Sequence, residues 1–351
     1  MSEALPDWPM FGLTDDIRDA LRSALVADRA AALVTIIGLD GGGPRPLGTQ
    51  MVWSDGLVSG FLSGGCVEGD VVVHAQQCLE DGVPRHLVYG EGSPWPDIRL
   101  LCGARMELLV ERVLPGDSAA QTLFDLTDAR QAAVWISDGT RRECRSVASD
   151  PSPWPSAHMR TYAPAVRLIV VGSDPTALAI AAMGAQAGHE TTLVRPKGPV
   201  EPPPLAGVTY LRDNPAIALS KTGLDAWTAV AASSHESEID HETLIAALPS
   251  PAFYVGALGA RRRLPERLAA LRHAGVLEAD VSRLRAPIGL DLGGKAPWEV
   301  AIAVIGEIVA LRYALDSGNT DTGSPTAAAG APGRRLSKAS AEANTVTSDE
   351  S

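Results

Sequence analysis

The chain has no excess of positive charge and few aromatic side chains. Its 351 residues include 30 Lys and Arg against 42 Asp and Glu, which gives a formal net charge of -12, and aromatic residues make up 5%. Nucleic acid and anionic membranes attract basic surfaces, and this composition supplies none. We therefore expect neither a nucleic-acid partner nor a membrane partner.

Long apolar runs and a targeting segment are also missing. No stretch approaches the ~20 apolar residues that a membrane helix needs. Residues 1–9 lack the basic and apolar regions of a signal peptide. A cytoplasmic location is the expectation that follows.

Cysteine is scarce as well. The chain has four cysteines, at irregular spacing and without a C-x-x-C pair: Cys66, Cys78, Cys102 and Cys144. This pattern excludes a disulfide framework, and no cysteine and histidine pair has the spacing of zinc ligands. Cys78 lies on a predicted helix and is expected in a core, whereas Cys144 stands among charged residues of an exposed-looking hairpin.

The pattern of the chain predicts two domains of the α/β class. Residues 1–148 mix helices with short strands and hairpins, one of which turns at Asp55-Gly56 and another at Asp138-Gly139. Residues 149–164 are rich in Pro and Ser and are predicted as a linker. Residues 165–315 alternate strands with helices, which predicts a doubly wound parallel sheet. Residues 316–351 lack aromatic side chains and are predicted to be disordered.

The most informative segment is a run of small residues around a cysteine: Ser63-Gly64-Gly65-Cys66-Val67-Glu68. The glycines leave the thiol and the backbone N–H groups open to a ligand. Apolar residues at helical spacing from Val67 predict a helix that ends near Gly82. Cys66 would then lie at a helix N-terminus, where anions are favoured. It is a candidate nucleophile, metal ligand or anion-site residue, although no base lies near it for nucleophilic catalysis.

Two further segments carry candidate ligand-binding residues. In the loop of residues 41–48, two prolines stiffen the chain around Arg45, which can reach a phosphate or remain a solvated loop arginine. Cys102 and Gly103 precede a predicted strand. Cys102 is either a second functional thiol or a small core residue.

The second domain begins like a dinucleotide-binding fold. Gly172 ends a buried strand in the context of a G-x-G-x-x-G turn, but the other glycines are absent. Asp174 stands where backbone would approach a pyrophosphate, and its charge would repel that group. Arg195 ends the next strand and can meet a 2′-phosphate or another anion. We expect a Rossmann-like fold without NAD(P) in the standard pose.

Other residues at predicted strand ends outline a second ligand crevice, with a solvated basic face as the alternative. Ligands bind at the carboxyl ends of strands in such sheets. The candidates are Gly172, Asp174, Arg195, Ser234, His235, Gly256, Gly259, Arg261, Arg262 and Asp291.

Five segments together resemble the XdhC/CoxI family of accessory proteins for molybdenum hydroxylases. Residues 43–48 resemble its GSxPRPxG segment, residues 63–68 its SGGCVE segment, and Cys102-Gly103 its CGG segment. Residues 254–262 resemble YxGxxGSRR, and residues 286–293 resemble APIGLDIG. The resemblance covers residues 15–112 and 165–314, in the family's order.

The resemblance implies a chaperone rather than an enzyme. Such proteins bind molybdenum cofactor (molybdopterin), assist its sulfuration and deliver it to an apo molybdenum hydroxylase of the xanthine dehydrogenase type. A cysteine desulfurase as a further partner and a homodimer are part of the same expectation. The implied cofactor-binding residues are Gly43, Arg45, Gly64, Gly65, Cys66, Glu68, Cys102 and Gly103.

Two of these residues receive specific roles. A Cys66 thiolate suits molybdenum, because soft sulfur ligands bind such metals. Glu68 can accept hydrogen bonds from the pterin or balance the charge of the helix terminus.

Departures from the family pattern lie mostly in the second domain. The turn after the first Rossmann strand differs from the family's GAGHVA, and Arg195 replaces an acid. These changes affect nucleotide binding more than cofactor handling. Two other functions remain open: an NAD(P)-dependent oxidoreductase, suggested by residues 166–195, and a scaffold whose second domain only docks a partner enzyme.

Overall fold

The structure is a computed structural model that describes residues 5–41, 43, 45–93, 100, 103, 105–148 and 154–316. The chain divides into two compact units. The first comprises Met1–Val166 with Gly188–Glu190, and the second Arg167–Ala187 with Thr191–Ser351. The tail that was predicted to be disordered lies outside the described residues beyond Asp316.

A five-stranded antiparallel sheet forms the centre of the first unit. Its strands are β1 (Ala31–Asp40), β2 (Gln50–Ser54), β3 (Leu57–Gly60), β4 (Arg85–Tyr89) and β5 (Arg105–Val113). Their spatial order is β3-β2-β1-β5-β4. The predicted hairpin is confirmed, because Asp55 and Gly56 take positive φ angles of 49° and 77° between β2 and β3.

Helices cover both faces of this sheet. They are a 3-10 helix (Met10–Leu13), α1 (Arg18–Val26), α2 (Glu68–Asp81) and α3 (Ser118–Asp128). Val71, Ala75 and Cys78 of α2 pack on one face, in a cluster with Val34 and Ile36 of β1. Alternation along β1 sends Ala31 and Leu33 to the other face, against α1 and α3. The end of α2 at Gly82 is as predicted.

A three-stranded sheet completes the first unit and corrects two expectations. Its strands are β6 (Ala133–Ser137), β7 (Arg142–Ser146) and β8 (His158–Tyr162), in the order β7-β6-β8. The segment 149–164 is therefore not only a linker, because β8 lies in it and pairs with β6. Cys144 is buried rather than exposed, since it faces the cluster that contains Trp135.

The second unit is a six-stranded sheet with helices between its strands. The strands are β9 (Arg167–Val171), β10 (Glu190–Val194), β11 (Val208–Leu211), β12 (Thr228–Ala232), β13 (Tyr254–Ala257) and β14 (Leu284–Arg285). The helices are α4 (Pro175–Gln186), α5 (Pro215–Thr222), α6 (Ser237–Ala247), α7 (Leu264–His273), α8 (Glu278–Val281) and α9 (Pro297–Asp316). A second 3-10 helix spans Arg261–Arg263.

The order β11-β10-β9-β12-β13-β14, with parallel pairing, confirms the Rossmann-like prediction. The chain moves outward from β9 to β11 and then returns to place β12 on the other side of β9. A ligand crevice is expected at this reversal, beside the carboxyl ends of β9 and β12.

Helix α9 is the longest helix of the described chain, with 20 residues. It packs against α4 and buries Ala301, Val304 and Ile308. Its outer side keeps Trp298 and Ile302 exposed. Even so, no helix in the described ranges has both the length and the apolar character to cross a membrane.

Candidate functional site

The loops that carry the N-terminal motifs leave the five-stranded sheet at the same end of its strands. β1 leaves the sheet at this edge into residues 41–49, and β2 returns from them. Because Met51 of β2 pairs with Gly60 of β3, residues 61–68 leave the sheet at the same edge. Antiparallel pairing alone thus brings the Arg45 loop and the Cys66 segment to one end of the sheet.

The strands on the other side of β1 bring two more segments to this edge. Asp40 pairs with Arg105, so β5 begins here, directly after the second cysteine motif. Tyr89 pairs with Met106, so β4 ends here. The segments that carry these motifs, apart in the sequence, therefore all lie at this end of the strands, which we call the motif edge.

Glu68 organises the loop that presents Cys66. Its side chain is wholly buried, and Oε1 accepts hydrogen bonds from the N–H groups of Leu62 (3.0 Å) and Ser63 (2.7 Å). Oε2 accepts from Ser63 Oγ (2.6 Å) and from the N–H of Gly65 (2.9 Å). Ser63 Oγ in turn accepts from the N–H of Cys66 at 3.0 Å. One carboxylate and one hydroxyl thus fix the loop.

This arrangement argues against one of the two roles expected of Glu68, hydrogen bonding to the pterin, and is compatible with the other, charge balance at the helix terminus. Burial raises the pKa of the Glu68 carboxyl, but the hydrogen bonds from Ser63 and Leu62 outweigh it and hold the pKa below its usual range. Both oxygens are occupied by the loop, so Glu68 shapes the site rather than facing a ligand. Ser63 was missed as its partner, and the signal was a serine five residues before an acid within a glycine run.

Cys66 is exposed at the rim of this loop. Gly64 and Gly65 take φ angles of 104° and 93°, which other residues rarely adopt, and no atom lies within 4 Å of a Cβ built on Gly65. The glycines therefore serve the loop conformation and leave the thiol accessible. Cys78 and Cys144 differ, because both are buried. Burial raises the pKa of both thiols, that of Cys144 to about 12.

Arg45 is held by an acidic neighbour. Its guanidinium forms an ion pair with Asp15, while its Nε atom is buried and has no hydrogen-bond partner among the described residues. Gly43 allows close packing, since a Cβ there would lie 2.8 Å from Leu39 Cδ2. Asp15 was not recognised from the sequence, because nothing local links residues 30 positions apart.

Asp70, on the first turn of α2, joins the motif edge to β4. It accepts a hydrogen bond from the hydroxyl of Tyr89 (2.6 Å), and His74 Nε2 lies 3.5 Å from the same oxygen. Burial and the Asp70 charge both raise the pKa of Tyr89. The predicted site did not include these residues, although Asp70 and His74 are one helical turn apart.

Of the second cysteine motif, Cys102-Gly103, the structure describes Gly103. Gly103 is exposed with a φ of 71°, and its N–H donates to the carbonyl of Leu100 at 2.9 Å. Cys102 lies outside the described residues, so its role stays a prediction.

In the second unit, Asp174 caps α4 instead of leaving its first turn to a ligand. Its carboxylate accepts a hydrogen bond from the N–H of Ala177 at 2.8 Å, and His235 Nε2 lies 2.9 Å from its other oxygen. A Cβ on Gly172 would lie 2.4 Å from the carbonyl oxygen of Ser233, so this glycine is needed for close packing of β9 and β12. The structure therefore brings together Gly172, Asp174 and His235, as the sequence predicted. The N-terminus of α4 is, however, already capped by Asp174.

Ser234 connects this group to a buried ion pair. Its N–H donates to Asp240 Oδ1 at 3.0 Å, and Arg267 binds the other oxygen at 2.9 Å. Burial of Asp240 raises its pKa to about 6, although Ser234 and Arg267 oppose this shift. Arg267 also donates to the carbonyl of Leu258 at 3.0 Å, which ties the ends of β12 and β13 together.

The remaining predicted crevice residues do not form one pocket. Arg261 pairs with Asp291 (3.1 Å), but both side chains are more than 70% exposed. Arg262 is also exposed, and the cavity beside Gly259 measures about 10 Å³, which admits about one water molecule. Arg195 packs against Gly198 at the end of β10.

Two C-terminal motifs meet at a buried carboxylate. Glu307 of α9 accepts hydrogen bonds from the hydroxyl of Tyr254 (2.8 Å) and the N–H of Gly289 (2.9 Å). A Cβ on Gly256 would lie 2.6 Å from Ile288, so the glycine allows these two segments to pack. Both motifs thus serve the fold here. No group of three or more His, Cys, Asp or Glu suited to a metal occurs in the part of the chain that the structure describes.

Comparison with known families identifies both units. A model of the XdhC and CoxI family matches residues 24–90, which contain the Arg45 and Cys66 loops. A model described as the XdhC Rossmann domain matches residues 168–308. Among solved structures, one described as a xanthine dehydrogenase from Bacillus halodurans aligns with a TM-score of 0.68 and 23% identity, covering 85% of this chain and 96% of that one. At this identity the likeness shows the fold.

Curated relatives agree with these matches. The molybdenum cofactor insertion chaperone PaoD of Escherichia coli (strain K12) is 30% identical over 306 residues, which cover 86% of this chain and 90% of PaoD. The uncharacterized protein YqeB of the same strain is 24% identical over 286 residues, 80% of this chain but 43% of YqeB. The family expected from the sequence is thereby confirmed: the chain belongs to the XdhC/CoxI family.

Proposed function

We propose that this protein is a chaperone that binds molybdenum cofactor and delivers it to a molybdenum enzyme. The observation that carries the proposal is the 30% identity to a molybdenum cofactor insertion chaperone over 90% of that protein's length. The alignment includes both units, so it supports a shared role rather than a shared fold alone.

The motif edge is the proposed binding site. Cys66 contacts molybdenum through its sulfur, because sulfur is a soft ligand and this side chain is exposed. Arg45 binds the phosphate, and Gly43, Gly64, Gly65 and Gly103 let the backbone approach the cofactor. Glu68 acts indirectly by holding the loop, and Cys102 is a second thiol on the segment before β5. The convergence of these loops at one sheet edge supports the assignment.

The proposed client is an apo molybdenum hydroxylase of the xanthine dehydrogenase type. The cofactor would receive its terminal sulfido ligand, with a cysteine desulfurase as the sulfur donor, before or during transfer. An oxidoreductase function is less well supported, because Asp174 caps the helix terminus that a dinucleotide pyrophosphate would use. The predicted cytoplasmic location remains part of the proposal.

Cofactor retention by a Cys66→Ser variant tests the proposal. We expect the parent protein to co-purify with molybdopterin and to activate apo hydroxylase, and the variant to retain at least tenfold less cofactor, about the effect of one lost ligand contact. Asp55→Asn, at the opposite edge of the sheet, is the control. Equal retention by Cys66→Ser would remove the cysteine from the site, and no cofactor on the parent protein would contradict the function. Omitting the desulfurase in the activation assay tests the sulfuration step.

We also propose a homodimer. Apolar side chains recur on the outer side of α9 and remain exposed, among them Trp298 (57%), Ile302 (52%) and Tyr313 (57%). Contiguous apolar surface of this kind marks interaction sites. A second copy presents the same side chains, so two α9 helices can pair about a two-fold axis through the apolar residues, with the Arg312 guanidinium over the Tyr313 ring beside them.

A further inference from the structure

Arg160 lies against the loop that carries Arg45, although it belongs to a different sheet. Its Cδ atom lies 3.4 Å, and its Nη1 atom 3.9 Å, from the position that a Cβ of Gly48 would occupy. Arg160 is part of β8, in the segment outside the family resemblance, whereas Gly48 precedes β2. The three-stranded sheet thus delivers a guanidinium to the motif edge.

The Arg160 guanidinium has no carboxylate in contact with it in the part of the chain that the structure describes. Among the described residues it forms no ion pair, and its Nε atom is buried without a hydrogen-bond partner. Its neighbours are the ring of Tyr162, 5.6 Å from Cζ to the ring centre, and the charge of Asp16, whose pKa it helps to lower. Because this guanidinium has no carboxylate in contact with it, its N–H groups can donate to an anionic ligand without first breaking an ion pair.

Arg45, which lies on the loop that Arg160 contacts at Gly48, also has an Nε–H group without an acceptor among the described residues. Its Nε atom is buried without a partner, and its remaining charge is met by Asp15, whose side chain is 59% exposed. Asp16 is engaged by Arg18. Arg45 and Arg18 thus each have a carboxylate in contact, and Arg160 is the guanidinium of this group that has none among the described residues.

Tyr162 fixes the geometry of this group. Its ring lies within 5.5 Å of the Arg18 guanidinium as well as near Arg160, and its hydroxyl donates to Gln50. Gln50 Nε2 donates to Thr35 Oγ1 at 3.0 Å, which ties the start of β2 to β1. The loop and Arg160 are thus held by the same buried residue.

We propose that Arg45 and Arg160 together bind a phosphate monoester, and that the Asp15 carboxylate occupies Arg45 until the phosphate displaces it. A phosphate group offers several acceptor oxygens and about two negative charges, which suits two guanidiniums. The inference rests on the proposed function, in which the ligand is the phosphate of the cofactor.

Calorimetric titration of the full chain with inorganic phosphate tests this. We expect Arg45→Gln and Arg160→Gln each to weaken binding about tenfold, the effect of losing one charged hydrogen-bonding group. Asp15→Asn should strengthen binding about threefold, because it removes an exposed competing carboxylate. Arg160→Lys, which keeps the charge, should retain most of the affinity and shows that a loss in Arg160→Gln is not a folding defect.

A matched pair of residues serves as the control. Arg29 and Asp55 form a similar ion pair at 3.1 Å, and Arg29 Nε is also buried without a partner. They lie at the start of β1 and in the β2–β3 turn, at the other edge of the sheet. Arg29→Gln and Asp55→Asn should leave phosphate binding unchanged.

Two results would overturn the inference: parent-like phosphate affinity in a folded Arg160→Gln variant, or an equal loss in Arg29→Gln. Cofactor retention, measured in parallel, separates this outcome from a failure of the proposed function. If the parent protein binds phosphate through both arginines but retains no cofactor, the function is wrong and the phosphate site stands. If Arg160→Gln retains both ligands as the parent does, the function stands and the site is wrong.

Discussion

Glu68 supplies a fixed negative charge at the start of α2, where the positive end of the helix dipole would otherwise attract an anion. Its carboxylate is buried and fully engaged by the loop. An anionic ligand at the motif edge therefore gains little from the α2 terminus and needs cationic side chains instead. In the proposed phosphate site, Arg45 and Arg160 would supply them.

Replacing Glu68 should lower the free energy of unfolding of the first unit. Glu68→Gln keeps one acceptor oxygen but turns an NH2 group toward backbone donors, so we expect a loss of about 2–4 kcal/mol in the free energy of unfolding. Glu80→Gln on the exposed side of the same helix is the control and should change stability by less than about 0.5 kcal/mol. Urea denaturation followed by circular dichroism measures both.

The difference in stability between the parent protein and Glu68→Gln should depend on pH. The pKa of Glu68 is lower in the folded protein than its ordinary value of 4.5. Its contribution to stability is thus fully present above pH 4.5 and disappears as the pH falls through the folded-state pKa. The stability gap between the parent protein and Glu68→Gln should shrink in acid, and a gap of constant size from pH 7 to pH 3 would contradict this account.

At the level of whole elements, α2 and α4 both begin beside an acidic side chain but use it differently. Asp174 caps α4 by accepting from the N–H of Ala177, whereas Glu68 accepts from the loop that precedes α2, whose first turn has no side-chain cap among the described residues. In a dinucleotide-binding fold the equivalent terminus of α4 would hold a pyrophosphate. The sequence indicated a conflict at Asp174, and the Asp-Pro pair at a helix start would also have predicted the cap.

The glycines around Cys66 should differ in their tolerance of substitution. No atom lies within 4 Å of a Cβ on Gly65 or on Gly69, so backbone conformation alone separates them. Gly65→Ala forces alanine to a φ of 93° and should cost about 1–2 kcal/mol. Gly69→Ala, inside α2, should be neutral or stabilising by up to about 1 kcal/mol. Thermal unfolding of both variants measures this difference. An equal loss of stability in Gly65→Ala and Gly69→Ala would contradict the role given to backbone conformation.

The sequence predicted those elements whose cause is local. The β2–β3 hairpin followed from Asp55-Gly56 and the end of α2 from Gly82, because turn and cap chemistry reside in one or two residues. Strand β8 was missed because it lies in a Pro/Ser-rich segment and is defined by pairing with β6. Arg160 was missed for the same reason, since its contact with Gly48 joins distant parts of the chain.

For the molecule as a whole, the outer side of α9 departs from the charged character of the chain. A formal net charge of -12 keeps copies of the chain apart, yet Trp298, Ile302 and Tyr313 remain exposed on one helix. Burial of this stripe against a second copy would remove apolar area from water, which is the dominant favourable term in association.

Light scattering after size exclusion tests the proposed dimer. The parent protein should elute at twice the chain mass of 36.6 kDa, and Ile302→Glu should shift it to the mass of one chain, because a charge buried at an interface without a partner is costly. Val26→Glu, at a residue that is 81% exposed on α1, should leave the mass unchanged. A parent protein that elutes as a single chain at all concentrations would exclude the dimer.

The chain passes more than once between its two units, because Gly188–Glu190 belongs to the first unit although it lies within the second along the sequence. No single cut after Val166 can therefore separate the halves cleanly. A truncated N-terminal half would lose these three residues, and the C-terminal half would carry them without their normal surroundings.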